Sequence, residues 1–127
     1  MTDQSMTTIV EFQIRPENTT MEGWLDDWNL RADDAAGGEP ETSAYAAAVN
    51  LEDETGVLVY ERYDRGDASL KTHMDRPAHG ALMAAMGEKK STKRVVMSAR
   101  FEDIPGYGWW RRDRPDVVNA EDVGLVL

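Results

Sequence analysis

The sequence predicts an α+β fold of the ferredoxin-like kind, and three observations carry that expectation. Short apolar-polar alternations occur four times, at the spacing of β-strands. Amphipathic stretches of helical period separate them. The resulting order, β-α-β-β-α-α-β, is that of a four-stranded antiparallel sheet with its helices on one face. With 127 residues the chain suits one domain and one modest core.

Thr8 to Ile14 alternates and is rich in β-formers, so it reads as the first strand, closed by Arg15-Pro16. Thr19 and Glu22 stand at capping-box spacing. The residues after them, Met21, Trp24, Leu25, Trp28, Ala32 and Ala35, fall on one helical face, and Gly37-Gly38 closes that helix. Thr42 to Asn50 reads as a second strand, whose four alanines leave room above the sheet. A turn at Glu52–Gly56 leads to a third strand over Val57–Tyr63. Asp67 is placed to cap a short helix through Met74, and Pro77 suits the first position of another that runs to Met86 and stops at Gly87. The last strand spans Lys93 to Phe101, with Val95, Met97, Ala99 and Phe101 expected on one face.

Composition removes several functions. No cysteine is present, which excludes disulfides and thiolate metal sites. Two histidines lack the i, i+4 spacing of a helical metal pair, so no metal site is expected. No apolar run approaches the roughly 20 residues that span a bilayer, and the polar N-terminus is unlike a signal peptide, so neither membrane nor export is expected and the location expected is cytoplasmic. Net charge is −10, concentrated in residues 1–56, where 13 Asp/Glu face two Arg. Such a surface repels phosphate backbones, so nucleic acid is not an expected partner. Lys89, Lys90, Lys93 and Arg94 run against the trend and read as a solvated helix end, where cations offset the macrodipole.

Residues 1–102 therefore form the expected domain. Residues 103–127 form an extension in which Trp109, Trp110 and an apolar terminus favour docking on the same subunit or a neighbour. The sheet face away from the helices is also expected to carry apolar residues, which favours a homodimer pressed sheet to sheet.

Chemistry concentrates in YERYDRGDASLKTHM, residues 60–74. Strand alternation puts Val57, Val59, Glu61 and Tyr63 on one face, while Leu70, His73 and Met74 share a helical face. If that helix folds back on the sheet, Glu61 meets His73. A carboxylate holding one imidazole nitrogen fixes the tautomer and makes the other a general base. The plainer alternative is a satisfied core histidine. His79, past Pro77, is expected to pack or to lie at the surface.

Glu39-Pro40 with Tyr45, then Tyr60, Glu61 and Tyr63, then Leu70 and His73, then Pro77, resembles the antibiotic biosynthesis monooxygenase family of dimeric α+β barrels. The likeness covers about residues 8–102. Glu41 stands where glycine is usual, Ser69 where alanine is common, and His79 where phenylalanine is usual. The resemblance implies oxygenation of an electron-rich aromatic, of hydroquinone or anthrone type, by dioxygen without a cofactor. His73 would be the base, oriented by Glu61. Trp24, Trp28, Tyr45, Met83 and Met86 would form pocket walls, with Tyr60 a further polar contact. A polyketide cyclase or isomerase with the same base, or a small-ligand-binding dimer without catalysis, are the alternatives.

Overall fold

The structure is a computed structural model and describes residues 4–104 and residue 107. Strand β1 (Ser5–Gln13) leads to helix α1 (Met21–Gly38), then to strands β2 (Thr42–Val49) and β3 (Gly56–Tyr63). Two helices follow, α2 (Asp67–Asp75) and α3 (Pro77–Glu88), before strand β4 (Thr92–Phe101). The strands form one sheet in the order β2-β3-β1-β4 with every neighbouring pair antiparallel. This is the ferredoxin-like arrangement expected from the sequence.

Local chemistry sets the boundaries. The cap of α1 is Thr20 rather than Thr19: its hydroxyl accepts from Gly23 N at 3.0 Å. One residue separates the two candidates, and the Thr20 backbone is the one that is extended as a cap requires. Helix α1 runs through Gly37 and Gly38 and ends at Glu39. Its last turn has no cation of its own, and Arg76 supplies one. The Arg76 guanidinium lies over Gly38, donates to the Gly38 carbonyl at 3.2 Å, and grips Asp34 at 2.7 and 2.9 Å. A Cβ on Gly38 would stand 2.3 Å from Arg76 Nη2, so a side chain there would displace the end of Arg76 from this position. Helix α2 begins after Gly66 rather than with Asp67 as its cap. Gly66 has φ +58°, and a Cβ there would meet the Gln4 carbonyl at 2.8 Å. That turn fixes where α2 starts, and so where His73 falls.

Register decides which side chains enter the interior. Val10 faces Val59 and Phe12 faces Val57 across β1 and β3, and all four are buried beneath the helices. Trp24 and Trp28 of α1 with Leu82 and Met86 of α3 complete that core. In β4 the face expected for Val95 is corrected. The register slips between Ile9 and Val10, so Val95 pairs with Val10 and Met97 with Ile9. A bulge adds one residue and reverses the facing beyond it. Val95 therefore lies on the helix side, and Met97, Ala99 and Phe101 lie on the other. That open side also carries Tyr60 and Phe101, 43% and 48% exposed.

Of the extension, Asp103 pairs with Arg62 and accepts from Ser5 Oγ at 3.3 Å. Trp109, Trp110 and the apolar terminus lie outside the described residues.

Candidate active site

Two ends of the helix–sheet interior differ sharply. Along β3 the inward positions pass from Val57 and Val59 to Glu61 and Tyr63. Above the second pair, α2 delivers His73, which is 2% exposed. Leu70 lies on the same side, whereas Met74, expected inward, is 52% exposed because α2 rolls to bury Ser69 and His73 instead.

Glu61 and His73 do come together, but not as the sequence reading placed them. Glu61 Oε1 is 3.7 Å from His73 Nε2, too long for a hydrogen bond. The carboxylate that holds the ring is Glu39, whose Oε1 lies 2.7 Å from Nδ1. Glu39 in turn receives Arg31 Nη1 at 2.7 Å and the Thr42 hydroxyl at 2.9 Å. Arg31 Nη2 is 2.7 Å from His73 Nδ1 and donates to the His73 carbonyl at 2.9 Å. A carboxylate only accepts and a guanidinium only donates. With the proton on Nδ1 and directed at Glu39, Arg31 spends its N–H groups on Glu39, Asp34 and the carbonyl, and Nε2 keeps its lone pair; with Nδ1 accepting from Arg31 the proton stands on Nε2 instead.

The charge state agrees with this. Burial pushes the His73 pKa below the usual imidazole range; the Glu39 hydrogen bond opposes that, and Arg31 reinforces it. His73 is neutral at pH 7. For Glu39, burial raises the pKa, but the bonds from Arg31, His73 and Thr42 outweigh it and keep the group ionised. Burial pushes Glu61 the other way, above the usual carboxyl range, although the Tyr63 hydroxyl donates to its Oε1. Tyr63 and Tyr45 are both pushed far above the usual phenol range by burial, with Glu61 adding to it. The site thus sets an imidazole held below its ordinary range beside a carboxyl held above its own, two groups that burial drives in opposite senses.

The other expected contacts divide. Tyr45 lies 5.2 Å from the His73 ring and stacks on Trp28 at 4.9 Å. Both belong to the neighbourhood of the site. Trp24 is 1% exposed, packs on Phe12 at 5.2 Å, and donates its indole N–H to Ser91 at 3.2 Å. With Met86 it sits in the dry core, against which Met83 packs. Tyr60 is across the sheet from His73, because odd and even positions of β3 face opposite ways. His79, expected to pack or lie outside, meets the His73 ring edge-on at 5.3 Å.

Sequence reasoning missed Glu39 and Arg31 as holders of the imidazole. A signal existed for Arg31. It follows Trp24 by seven residues and Trp28 by three, on the stripe that Ala35 continues. A cation on the buried stripe of a helix needs a buried anion. Among the described residues, no group of three His, Asp or Glu side chains is arranged to hold a metal ion. No helix among them is long and apolar enough to cross a membrane.

No protein-family model matches this chain, and no curated protein matches it by sequence. Solved structures do. A protein from Nitrosomonas europaea described as a "putative antibiotic biosynthesis monooxygenase" has a TM-score of 0.66 at 13% identity, over 85% of this chain and 98% of its own. One from Caulobacter crescentus with the same description has a TM-score of 0.64 at 18% identity, over 74% and 89%. A point mutant of SnoaB, a cofactor-independent oxygenase from Streptomyces nogalater, gives 0.63 at 10% identity, over 81% and 96%. The chain has the α+β fold that these proteins share, in line with the resemblance its motifs carry.

Proposed function

We propose that this protein is a cofactor-independent monooxygenase of an electron-rich aromatic substrate. The observation that carries the reading is the buried His73, held at Nδ1 by an Arg31-anchored Glu39, with Nε2 directed at Glu61 3.7 Å away; in the tautomer that donates from Nδ1 to Glu39, Nε2 is the basic nitrogen. An imidazole so fixed is a general base of defined direction.

An anthrone shows the balance of the reaction. His73 Nε2 removes one proton, and the resulting anion passes one electron to dioxygen. Radical and superoxide combine to form a C–O bond. The peroxide takes up a proton, and loss of water with the second C–H proton leaves a carbonyl. One oxygen atom enters the product and the other leaves as water. The Glu61 carboxyl, whose burial disfavours ionisation, stands 3.7 Å from Nε2 as the candidate proton relay to the peroxide. SnoaB, by its description, works without a cofactor on this same fold.

The test is oxygen uptake by metal-stripped protein with hydroquinones and anthrones, beside His73→Ala. Uptake that falls by about 10²–10⁴-fold in the variant is the expected result for loss of a general base. Equal uptake in both would reduce His73 to a structural residue. The Glu61 carboxyl, pushed upward by burial and 3.7 Å from the imidazole, also favours a second reading, proton transfer without oxygen, as in a cyclase or isomerase. Turnover under nitrogen would select it.

The reading includes a homodimer that covers the open sheet face, where Tyr60, Met97 and Phe101 lie. Light scattering at low concentration is expected to give twice the chain mass of 14.2 kDa. A monomer would remove the sheet-to-sheet barrel.

A further inference from the structure

The sheet face away from the helices is covered at one end and bare at the other. Leu58, Tyr60 and Arg62 of β3 point to that face, as do Ala48, Ala46 and Ala44, their neighbours on β2. At the Arg62 end the chain itself returns. Asp103, two residues past β4, pairs with Arg62 and accepts from Ser5 Oγ at 3.3 Å, and both partners are buried. At the other end, where β2 turns into β3, a cavity of about 290 Å³ lies between Glu11, Ala48, Asn50, Leu51 and Leu58. Leu51 stands at its rim 97% exposed.

The chain carries an occupant of matching chemistry. Residues 108–127 lie outside the described structure, and they follow Asp103 from the covered end of this same face. Tyr107 N donates to the Ile104 carbonyl at 3.3 Å, and Pro105-Gly106 between them is the sequence of a tight turn. The cavity lies four residues along β3 from Arg62, about 13 Å. Trp109 lies six residues beyond Asp103, and six extended residues span up to about 20 Å. Trp109 and Trp110 are apolar, and Arg111, Arg112 and Arg114 follow them directly. The turn beside the cavity carries Glu52, Asp53 and Glu54, of which Glu52 and Glu54 are exposed. Arg94, read from the sequence as part of a solvated helix end, belongs to β4 and is engaged by Glu11 at 3.1 Å. The Nitrosomonas europaea structure is matched over 98% of its length by 85% of this chain, so this chain has residues to spare beyond the shared fold.

We propose that residues 108–127 cross the open face of their own subunit as a strap that seats the Trp109-Trp110 pair in this cavity, with Arg111 and Arg112 beside the Glu52–Glu54 turn. Small side chains on β2 leave room there for large rings. An indole is apolar over its rings and donates one N–H, and Glu11 and Asn50 offer side-chain oxygens at the edge of the cavity. The arginines bring positive charge to an acidic turn. The Asp103–Arg62 contact roots the segment on its own sheet, and so short a tether makes docking there an intramolecular event of high effective concentration. The strap lies over β2 and β3. It leaves Met97 and Phe101 of β4 to the partner subunit, and it does not depend on the chemistry at His73.

The chain has no cysteine, so one introduced thiol takes a spin label without competition. The full chain is labelled with ¹⁵N-tryptophan, and the Trp109 and Trp110 indole N–H signals are assigned with Trp109→Phe and Trp110→Phe. The spin label is placed at Leu51→Cys on the cavity rim or, as the control, at Leu30→Cys, 72% exposed on α1 across the sheet. The Leu51 label is expected to erase both indole signals, and the Leu30 label to leave them. Ala48→Arg, at an exposed position, puts bulk and a like charge into the cavity and is expected to restore the signals beside the Leu51 label. The buried Trp24 and Trp28 signals report that each variant is folded. Signals that survive the Leu51 label, vanish equally with both labels, or stay erased in a folded Ala48→Arg protein would overturn the proposal. Equal erasure in a mixture that carries the label and the ¹⁵N on different chains would also overturn it, because the strap would then belong to the partner subunit.

Discussion

The interior between helices and sheet has two ends, built on the same strands. At one, Phe12, Trp24, Val57 and Met86 fill the space with apolar atoms, and the Trp24 indole N–H there is bonded to Ser91. At the other, four residues further along β3, His73, Arg31, Glu39 and Tyr63 are as deeply enclosed, with Glu61 a little less so, but these residues hold one another by hydrogen bonds and charge. Burial stabilises the first end outright. At the second it penalises every charge, and the fold offsets that penalty by pairing. The lesson is that a site can be as tightly packed as a core and still respond to pH, because its packing consists of ionisable groups.

The most severe way to break the comparison is to truncate one residue at each end. Trp24→Ala removes a fully buried indole and should cost about 3–5 kcal/mol, the usual range for a large aromatic in a core. Glu39→Ala should cost a similar amount, about 3–5 kcal/mol, because it leaves Arg31 a buried cation with only the longer, half-exposed Asp34 contact at 3.3 Å to pair it. Equal losses would then separate by cause. Urea unfolding of both variants from pH 7 down to pH 3 should show the Trp24→Ala loss constant. The Glu39→Ala loss should hold down to the ordinary carboxyl range and shrink only below about pH 4.5, where the wild type loses this pairing as well. A Glu39→Ala protein as stable as wild type would show that Arg31 finds another partner and that Glu39 is not what holds His73.

The two ends were also unequally legible in the sequence. The apolar end follows from periodicity: alternation on β1 and β3 and the i, i+3, i+4 stripe of α1 name nearly all its members. The polar end obeys no such rule. Glu61 and His73 are found because strand and helix periods both turn them inward. Glu39 reads as the exit from a helix and Arg31 as one more charged helical residue, since their partnership joins positions brought together only by the fold. The bulge between Ile9 and Val10 is invisible for the same reason. An extra residue in one strand shows only against its partner, and it is what turns Val95 to the helix side.

A finer probe of the same contrast is the pH dependence of the unmodified protein, where the polar end alone contributes. His73 and His79 both have folded-state pKa values held below the ordinary imidazole range, chiefly by burial. The unfolded chain therefore binds protons first as pH falls, and stability drops as pH goes from 7 towards 5. Each proton taken up by the unfolded chain alone steepens the fall by about 1.4 kcal/mol per pH unit. Glu61 acts in the opposite sense. Its raised pKa makes the folded state the better proton acceptor, so its contribution is full below the ordinary carboxyl range and is lost as pH rises through the folded value. Glu39 and Asp34, held low, lose their contribution only further into acid. The expected profile declines between pH 7 and 5, less steeply than two histidines alone would give, with a second decline below about pH 4.5, near the ordinary carboxyl value. In His73→Gln the first decline should flatten while the second persists. A first decline of unchanged slope in that variant would mean that His73 titrates alike in the folded and unfolded chains, and a steeper one would mean that it is protonated in the folded protein, with no lone pair on Nε2 to act as a base.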